Sequence, residues 1–207
     1  MSCLLCHICE LVSHPDAWQF DKSKPSLIYL LYRTLLAAFL IATWCVSLSI
    51  ASFSIYFTNW GYTMCVLQGV LAFLMAFFAY LFVVLDKPKA LQFILKLHPI
   101  YWVIHVAATS AGFVITVIFW SVLYTSDMGF TALNFYVHGS NSIVLLIDLL
   151  IIGHPVRLLH FIYPLLFGLA YIIFSVAYYF YDTNRGGVGY VYAILDWSKP
   201  LMAFSLL

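Results

Sequence analysis

The stretch NFYVHGSNSIVLLIDLL, residues 134–150, places four polar side chains in one of the most apolar parts of the chain. Asn134, His138, Asn141 and Asp148 stand there among Leu, Ile, Val and Phe. A polar group buried in hydrocarbon is costly unless something satisfies it. On an α-helix each residue turns about 100°, so all four fall within one stripe roughly 80° wide. We therefore expect them to face the interior of a helix bundle, where they share a partner, a cavity or a reaction.

The composition around this stretch is that of a multispanning membrane protein. Of the 207 residues, 65% are hydrophobic and 8% are charged, whereas a soluble domain is about one quarter charged. The mean hydropathy is +1.01. A net charge of +1 gives no indication of a nucleic-acid partner. The partners we expect are the lipid bilayer and other membrane proteins.

Five apolar runs reach the length of about 20 residues that a membrane-spanning helix needs. They are Leu27–Phe53, Gly61–Leu85, Ile100–Tyr124, Thr131–Gly153 and His160–Tyr181. A sixth run, residues 190–207, is interrupted by Asp196, Lys199 and Pro200. The predicted fold is all-α, a polytopic transmembrane helix bundle of five full spans and a partial sixth. Its parts are a cytosolic N-terminal segment (residues 1–26), the five-span bundle (27–181), and an outer loop with an incomplete or interfacial last segment (182–207).

The distribution of basic residues predicts that the N-terminus lies in the cytosol. Cytosolic loops carry an excess of Lys and Arg. With this orientation seven basic residues fall on the cytosolic side and two on the other. The seven are Lys22, Lys24, Arg33, Lys87, Lys89, Lys96 and Arg157, and the two are Arg185 and Lys199. The first run then acts as an uncleaved signal anchor, because no secretory signal pattern precedes it.

Three of the five cysteines form the N-terminal motif CLLCHIC, residues 3–9. Cys3 to His7 fits the C-x-x-C-H pattern of haem c attachment, and Cys3, Cys6 and Cys9 with a histidine fit a zinc site. The favoured interpretation is a set of reduced cytosolic thiols, open to palmitoylation near the membrane. We therefore expect neither a cofactor nor a bound metal.

The depth of each polar residue in its predicted span separates two groups. His105 and Asp148 lie near the cytosolic ends of their spans, where they can meet as an Asp–His pair. Thr58, Gln68, Asn134 and His138 lie towards the outer face. A proton relay or an electron carrier through His105, Asp148, His154 and His160 is one interpretation of the inner group. Ordinary helix packing through small and hydroxyl residues is the alternative for many of these positions.

The outer group contains the minimum for nucleophilic catalysis. A histidine can take the proton of a hydroxyl group while the oxygen attacks an acyl carbon. Thr58 and His138 are the candidate nucleophile and base. Asn134 and Asn141 are placed to orient the imidazole or to stabilise an oxyanion, with Asp148 and His105 as further supporting polar residues.

Three stretches resemble the rolling stone family of multispan membrane proteins: YFTNWGY (56–62), HGSNSIVLLIDLLI with the following HPVRLLHFIYPLLFGLAYIIFSVAYY (138–179), and YVYAILDW (190–197). The resemblance implies a plasma-membrane protein, rather than one of the endoplasmic reticulum, with a role in cell contact or myoblast fusion. This chain stops soon after DWSKP, where members of the family usually continue.

A more distant resemblance is to the androgen-induced membrane hydrolases, which cleave fatty acid esters of hydroxy fatty acids with an intramembrane threonine. FTNW places Thr58 where that family has its threonine, and Asn134 precedes His138 at that family's spacing. The resemblance implies Thr58 as nucleophile, His138 as base and a lipid ester as substrate. Two hypotheses follow: a membrane protein that acts in cell contact or fusion, and an intramembrane Thr/His lipid-ester hydrolase.

Overall fold

A computed structural model of the chain describes residues 26–48, 53–125, 131–152 and 158–199, and within these ranges its regular structure is entirely helical. The long helices are α1 (Leu27–Leu48), α2 (Phe57–Val84), α4 (His98–Ile118) and α7 (Ile162–Thr183). The shorter ones are α3 (Pro88–Leu95), α5 (Ala132–Phe135) and α6 (Asn141–Ile152). The motif CLLCHIC, His154, Arg157 and residues 200–207 lie outside the described residues.

Four stretches are long and apolar enough to cross a membrane: Leu27–Leu48, Phe57–Val84, Pro88–Leu123 and Leu159–Thr183. They correspond to four of the five predicted runs, so the expectation of a polytopic all-α membrane protein is confirmed. Much of their surface is apolar and exposed, for example Leu35 at 71% and Val117 at 64%. Side chains of this kind are stable against lipid, which is as apolar as they are.

The predicted run Thr131–Gly153 is not one regular helix. Its described part consists of α5, a π-helical turn at Tyr136–Ser140 and α6. Its shorter apolar helical stretch is His138–Ile152. A second π-helical turn, Phe119–Leu123, continues α4. π-helical turns interrupt the regular ladder of backbone hydrogen bonds, and they are frequent at functional sites.

Helix α2 begins four residues before the predicted start of its span, at Phe57 instead of Gly61. Thr58 therefore lies in the first helical turn, and not in a loop before the span as the sequence suggested. The stretch between the second and third predicted spans also contains a helix, α3, which starts with a proline. Proline is well tolerated there because the first backbone N–H groups of a helix have no intrahelical partner.

Helix α2 is central to the bundle, since it packs against both α1 and α4. Glycines allow these helices to approach closely. A Cβ atom added at Gly69 would lie 2.7 Å from Leu40 of α1, and one at Gly112 of α4 would lie 2.7 Å from Leu145 of α6. Small residues at such contacts are typical of membrane bundles, where packing drives helix association.

Candidate functional site

Asp148 forms a buried ion pair with Arg33. The Arg33 Nη1 and Asp148 Oδ1 atoms are 2.7 Å apart, and the side chains are 1% and 0% exposed. The Tyr32 hydroxyl donates to the same carboxylate oxygen at 2.8 Å, and Arg33 Nε donates to the Tyr29 hydroxyl at 2.9 Å. The ion pair therefore connects α1 to α6, and both charges have hydrogen-bond partners.

Gln68 of α2 completes this arrangement from the other side of the carboxylate. Its Nε2 donates to Asp148 Oδ2 at 2.9 Å, and it lies 3.2 Å from the Tyr101 hydroxyl and 3.2 Å from His105 Nδ1. We refer to Arg33, Gln68, Tyr101, His105 and Asp148 as the polar cluster. It draws on α1, α2, α4 and α6, so four helices meet at one set of hydrogen bonds.

The polar cluster contains the expected Asp–His pair, but Gln68 lies between the two residues and Arg33 is added to them. His105 and Asp148 do come together, but Gln68 Nε2 bridges them. Gln68 was expected in the outer group, because its depth was counted from Gly61. Arg33 was used only in the topology count, although an arginine inside an apolar span is rare and needs a counter-charge.

A second set of polar contacts surrounds the π-helical turn before α6. The Thr116 hydroxyl donates to the backbone oxygen of His138 at 2.6 Å, and the Ser142 hydroxyl donates to the Gly112 oxygen at 2.8 Å. Asn141 Oδ1 accepts from the backbone N–H of Ser142 at 2.8 Å. These side chains supply backbone partners where the regular helical ladder is interrupted. Asn141 therefore has a structural role here.

Thr58 lines an apolar cavity of about 230 Å³. The walls come from the first turn of α2, from α4 with its π-helical turn, from α7, and from residues 192–195. Thr58 is 8% exposed, and Tyr192 is its neighbour in the lining of the same cavity. The structure therefore places the Thr58 hydroxyl beside a largely apolar space.

Tyr192 belongs to the segment that follows α7, residues 184–199, which we call the return segment. Burial raises the pKa of the Tyr192 hydroxyl above its ordinary value, and the first turn of α2 at Phe57 and Thr58 is next to it. The Tyr171 hydroxyl donates to the Ile55 oxygen at 2.8 Å. Residues of α7 and of the return segment therefore pack around the start of α2.

His138 lies beside the cavity and does not line it. Its ring stacks on that of Phe119, with 3.5 Å between centroids and 4° between planes, and Phe119 is one of the lining residues. His138 Nδ1 is buried with no hydrogen-bond partner among the described residues. Within the described part of the chain, no hydrogen bond joins Thr58 to His138. The Thr58/His138 pair, with Asn134 in its supporting role, therefore stays a prediction.

Comparison with known proteins agrees with the resemblance stated above. A family model described as "Protein rolling stone" matches residues 10–206. The chain belongs to the rolling stone family. It is 30% identical over 195 residues to "Protein rolling stone" of Drosophila melanogaster, an alignment that covers 88% of this chain and 71% of the fly protein. No solved structure matches the chain at a significant level.

For this member of the rolling stone family, the described residues indicate no metal centre. No three His, Cys, Asp or Glu side chains in residues 26–48, 53–125, 131–152 and 158–199 are grouped so that they could hold an ion. The polar cluster contains one carboxylate and one imidazole, and the carboxylate is engaged by Arg33. It is therefore organised as an ion pair with supporting donors.

Proposed function

We propose that this rolling stone family member acts at the plasma membrane, in cell contact or fusion. The observation that carries the proposal is the polar cluster, in which the buried charges of Arg33 and Asp148 satisfy each other. In this proposal the bundle is a scaffold that acts through its surfaces and its partners. The family membership supports the same role, because the resemblance implies a multispan protein of contacting cells.

The orientation in this proposal has the N-terminus in the cytosol and five spans. The stretch Ala132–Ile152 is the fourth of these spans in chain order, and its two helices and π-helical turn would reach about 30 Å at 1.5 Å per residue. That length matches the hydrocarbon core of a bilayer. Glycosylation acceptor sites inserted after Ser54 and after Asp86 test the orientation. Modification after Ser54 alone is expected, and modification after Asp86 would reverse the topology.

A cell-mixing assay tests the contact role. Two populations that express the full chain carry complementary halves of a luciferase, so light reports that their contents have mixed. We expect more light than with cells that lack the chain, and loss of this gain with Asp148→Leu, which leaves Arg33 unpaired. Thr58→Ala is the matched variant, because it leaves the polar cluster intact. Equal light with and without the chain, at confirmed surface expression, would refute the contact role.

A second candidate function is hydrolysis of a lipid ester, and the position of Thr58 favours it. Thr58 lines an apolar cavity, which is the surrounding that an acyl substrate requires. Phe119 connects the proposed pair, since it lines the cavity and stacks on His138. For His138 to serve as the base, its imidazole has to come within hydrogen-bond reach of the Thr58 hydroxyl.

Labelling of membranes with a fluorophosphonate probe tests this second candidate. The wild-type chain is expected to react, and Thr58→Ala and His138→Ala are each expected to abolish the reaction at unchanged expression. Ser121→Ala is the matched control, because Ser121 is exposed and its hydroxyl donates to the Val117 oxygen of its own helix. An unlabelled wild-type chain, or equal labelling of all variants, would exclude the Thr/His nucleophile.

A further inference from the structure

The residues that line the cavity beside Thr58 indicate which kind of ligand it can bind. Its lining side chains are almost all aliphatic or aromatic, such as Val114, Ile118 and Leu195, and Thr58 and Tyr192 contribute hydroxyl groups. Binding sites for small molecules combine apolar walls with a few polar groups in this way. This lining suits an apolar molecule that carries one polar group.

The cavity is small. Its volume of about 230 Å³ is below the roughly 300–1,000 Å³ of sites that hold drug-sized ligands. Part of one acyl chain therefore suits it better than a bulky ligand.

The return segment closes the cavity on one side. Tyr192, Ile194 and Leu195 line it, and the indole Nε1 of Trp197 donates to Ser175 Oγ of α7 at 3.1 Å. These contacts hold residues 192–197 against the bundle. The cavity is therefore bounded by protein at its polar end and at the return segment, and it is partly open elsewhere.

An acyl chain that enters from the bilayer leaves one apolar environment for another, so the hydrophobic effect contributes little to its retention. The polar end of the ligand has to supply the selectivity. Thr58 and Tyr192 both line the cavity, and their hydroxyls suit a carboxyl or ester oxygen, which accepts hydrogen bonds.

We propose that the cavity between α2, α4, α7 and the return segment binds a single acyl chain, with its carboxyl or ester end at Thr58 and Tyr192. The chain belongs either to a free fatty acid or to a membrane phospholipid. This proposal concerns binding and not cleavage, so it holds whether or not Thr58 is a nucleophile. It also goes beyond the contact role, which assigns no ligand to the protein.

Gly168 offers a direct way to fill the cavity. It is one of the lining residues, and a Cβ atom added there meets no atom within 4 Å among the described residues. Gly168→Leu therefore places a side chain in free space, and it also replaces glycine by a better helix former. Ala170→Leu is the matched control, because Ala170 is exposed on the same helix. Ile194→Trp, in the return segment, narrows the cavity independently of α7.

The experiment is photo-crosslinking of the full chain in membranes, with two probes that carry the same diazirine-labelled acyl chain. One probe is the free fatty acid and the other is a phosphatidylcholine. We expect labelled peptides from residues 114–119 and 168–172, with the yield at least fivefold lower in Gly168→Leu and Ile194→Trp and unchanged in Ala170→Leu. The probe that labels these peptides identifies the source of the chain.

Three outcomes would overturn the proposal. They are equal labelling in Gly168→Leu and wild type, labels confined to lipid-facing residues such as Leu165 and Leu169, and no labelling by either probe. Thermal stability of each variant in detergent shows whether a lower yield reflects misfolding. One further result is a chain that is labelled in the cavity but does not react with fluorophosphonate. That pair of results would support the acyl-chain site and exclude the hydrolase.

Discussion

Replacing Asp148 by Leu is expected to destabilise the bundle strongly, because it leaves Arg33 buried without its counter-charge. The Arg33 side chain is 1% exposed, so water cannot take the place of the carboxylate. Removing one partner of a buried ion pair costs about 3–5 kcal/mol. The hydrogen bond from Arg33 Nε to Tyr29 at 2.9 Å, and the Tyr29 ring 5.0 Å from the guanidinium carbon, both remain. We therefore expect a loss near the lower limit, about 3 kcal/mol.

Thermal unfolding of the purified chain in detergent, followed by tryptophan fluorescence, measures this loss. For a protein of this size, 1 kcal/mol corresponds to about 2–4 °C in Tm, so Asp148→Leu should unfold about 6–12 °C below wild type. The double variant Arg33→Met with Asp148→Leu removes both charges and should recover most of the difference. A double variant as unstable as Asp148→Leu alone, or a single variant that unfolds like wild type, would refute the ion-pair argument.

Three further predictions concern contacts elsewhere in the bundle. Gly112→Leu should cost about 1–3 kcal/mol and lower the Tm, because a Cβ there lies 2.7 Å from Leu145; an unchanged Tm would contradict the close helix contact. Ser142→Ala removes the donor to the Gly112 oxygen and the contact with the Thr116 hydroxyl at 2.6 Å, and at about 0.6 kcal/mol for each such bond in a membrane it should cost about 1.2 kcal/mol; a loss above about 3 kcal/mol, or none, would contradict these two contacts. Trp197→Phe removes the hydrogen bond to Ser175, worth about 1 kcal/mol, and should accelerate proteolysis of the return segment about fivefold at unchanged Tm. An unchanged cleavage rate would show that the hydrogen bond does not hold the segment.

The membrane-spanning character and the interior stripe were predictable from residue type and helical period. Of the four residues in the predicted stripe, Asp148 and Asn141 are fully buried, whereas Asn134 and His138 are half-buried. Ser175 and Tyr171, which share a stripe on α7, are buried as well. These features depend on local sequence alone, because an apolar helix needs no distant information to place its polar residues on one face.

The partner of Asp148 was not predictable in the same way, because it depends on helix depth. Gln68 was assigned to the outer group by counting from Gly61, yet α2 starts at Phe57. Four residues shift a side chain by about 6 Å along the axis, which is enough to bring Gln68 level with Asp148. The residues that pack around this start, Tyr171 and Tyr192, come from more than 100 residues further along the chain.

The surroundings of His138 also have a non-local cause. Sequence spacing placed His138 in the outer group, and it contained no information about the Phe119 ring. The stacking of His138 on Phe119 depends on the π-helical turns at Phe119–Leu123 and Tyr136–Ser140. Such turns have no reliable pattern of residue types. The direction of a side chain that follows a π-helical turn therefore cannot be predicted from the α-helical period.

The ion pair between α1 and α6 also affects when α1 can settle in the membrane during synthesis. Arg33 and Asp148 are 115 residues apart. At a synthesis rate of about 5–20 residues per second, Arg33 emerges from the ribosome roughly 6 to 23 s before the residue that neutralises it. A lone arginine inside a membrane helix is unfavourable. During this interval α1 should therefore remain at the insertion machinery or at the lipid interface, and its final position in the bilayer is fixed only when α6 arrives.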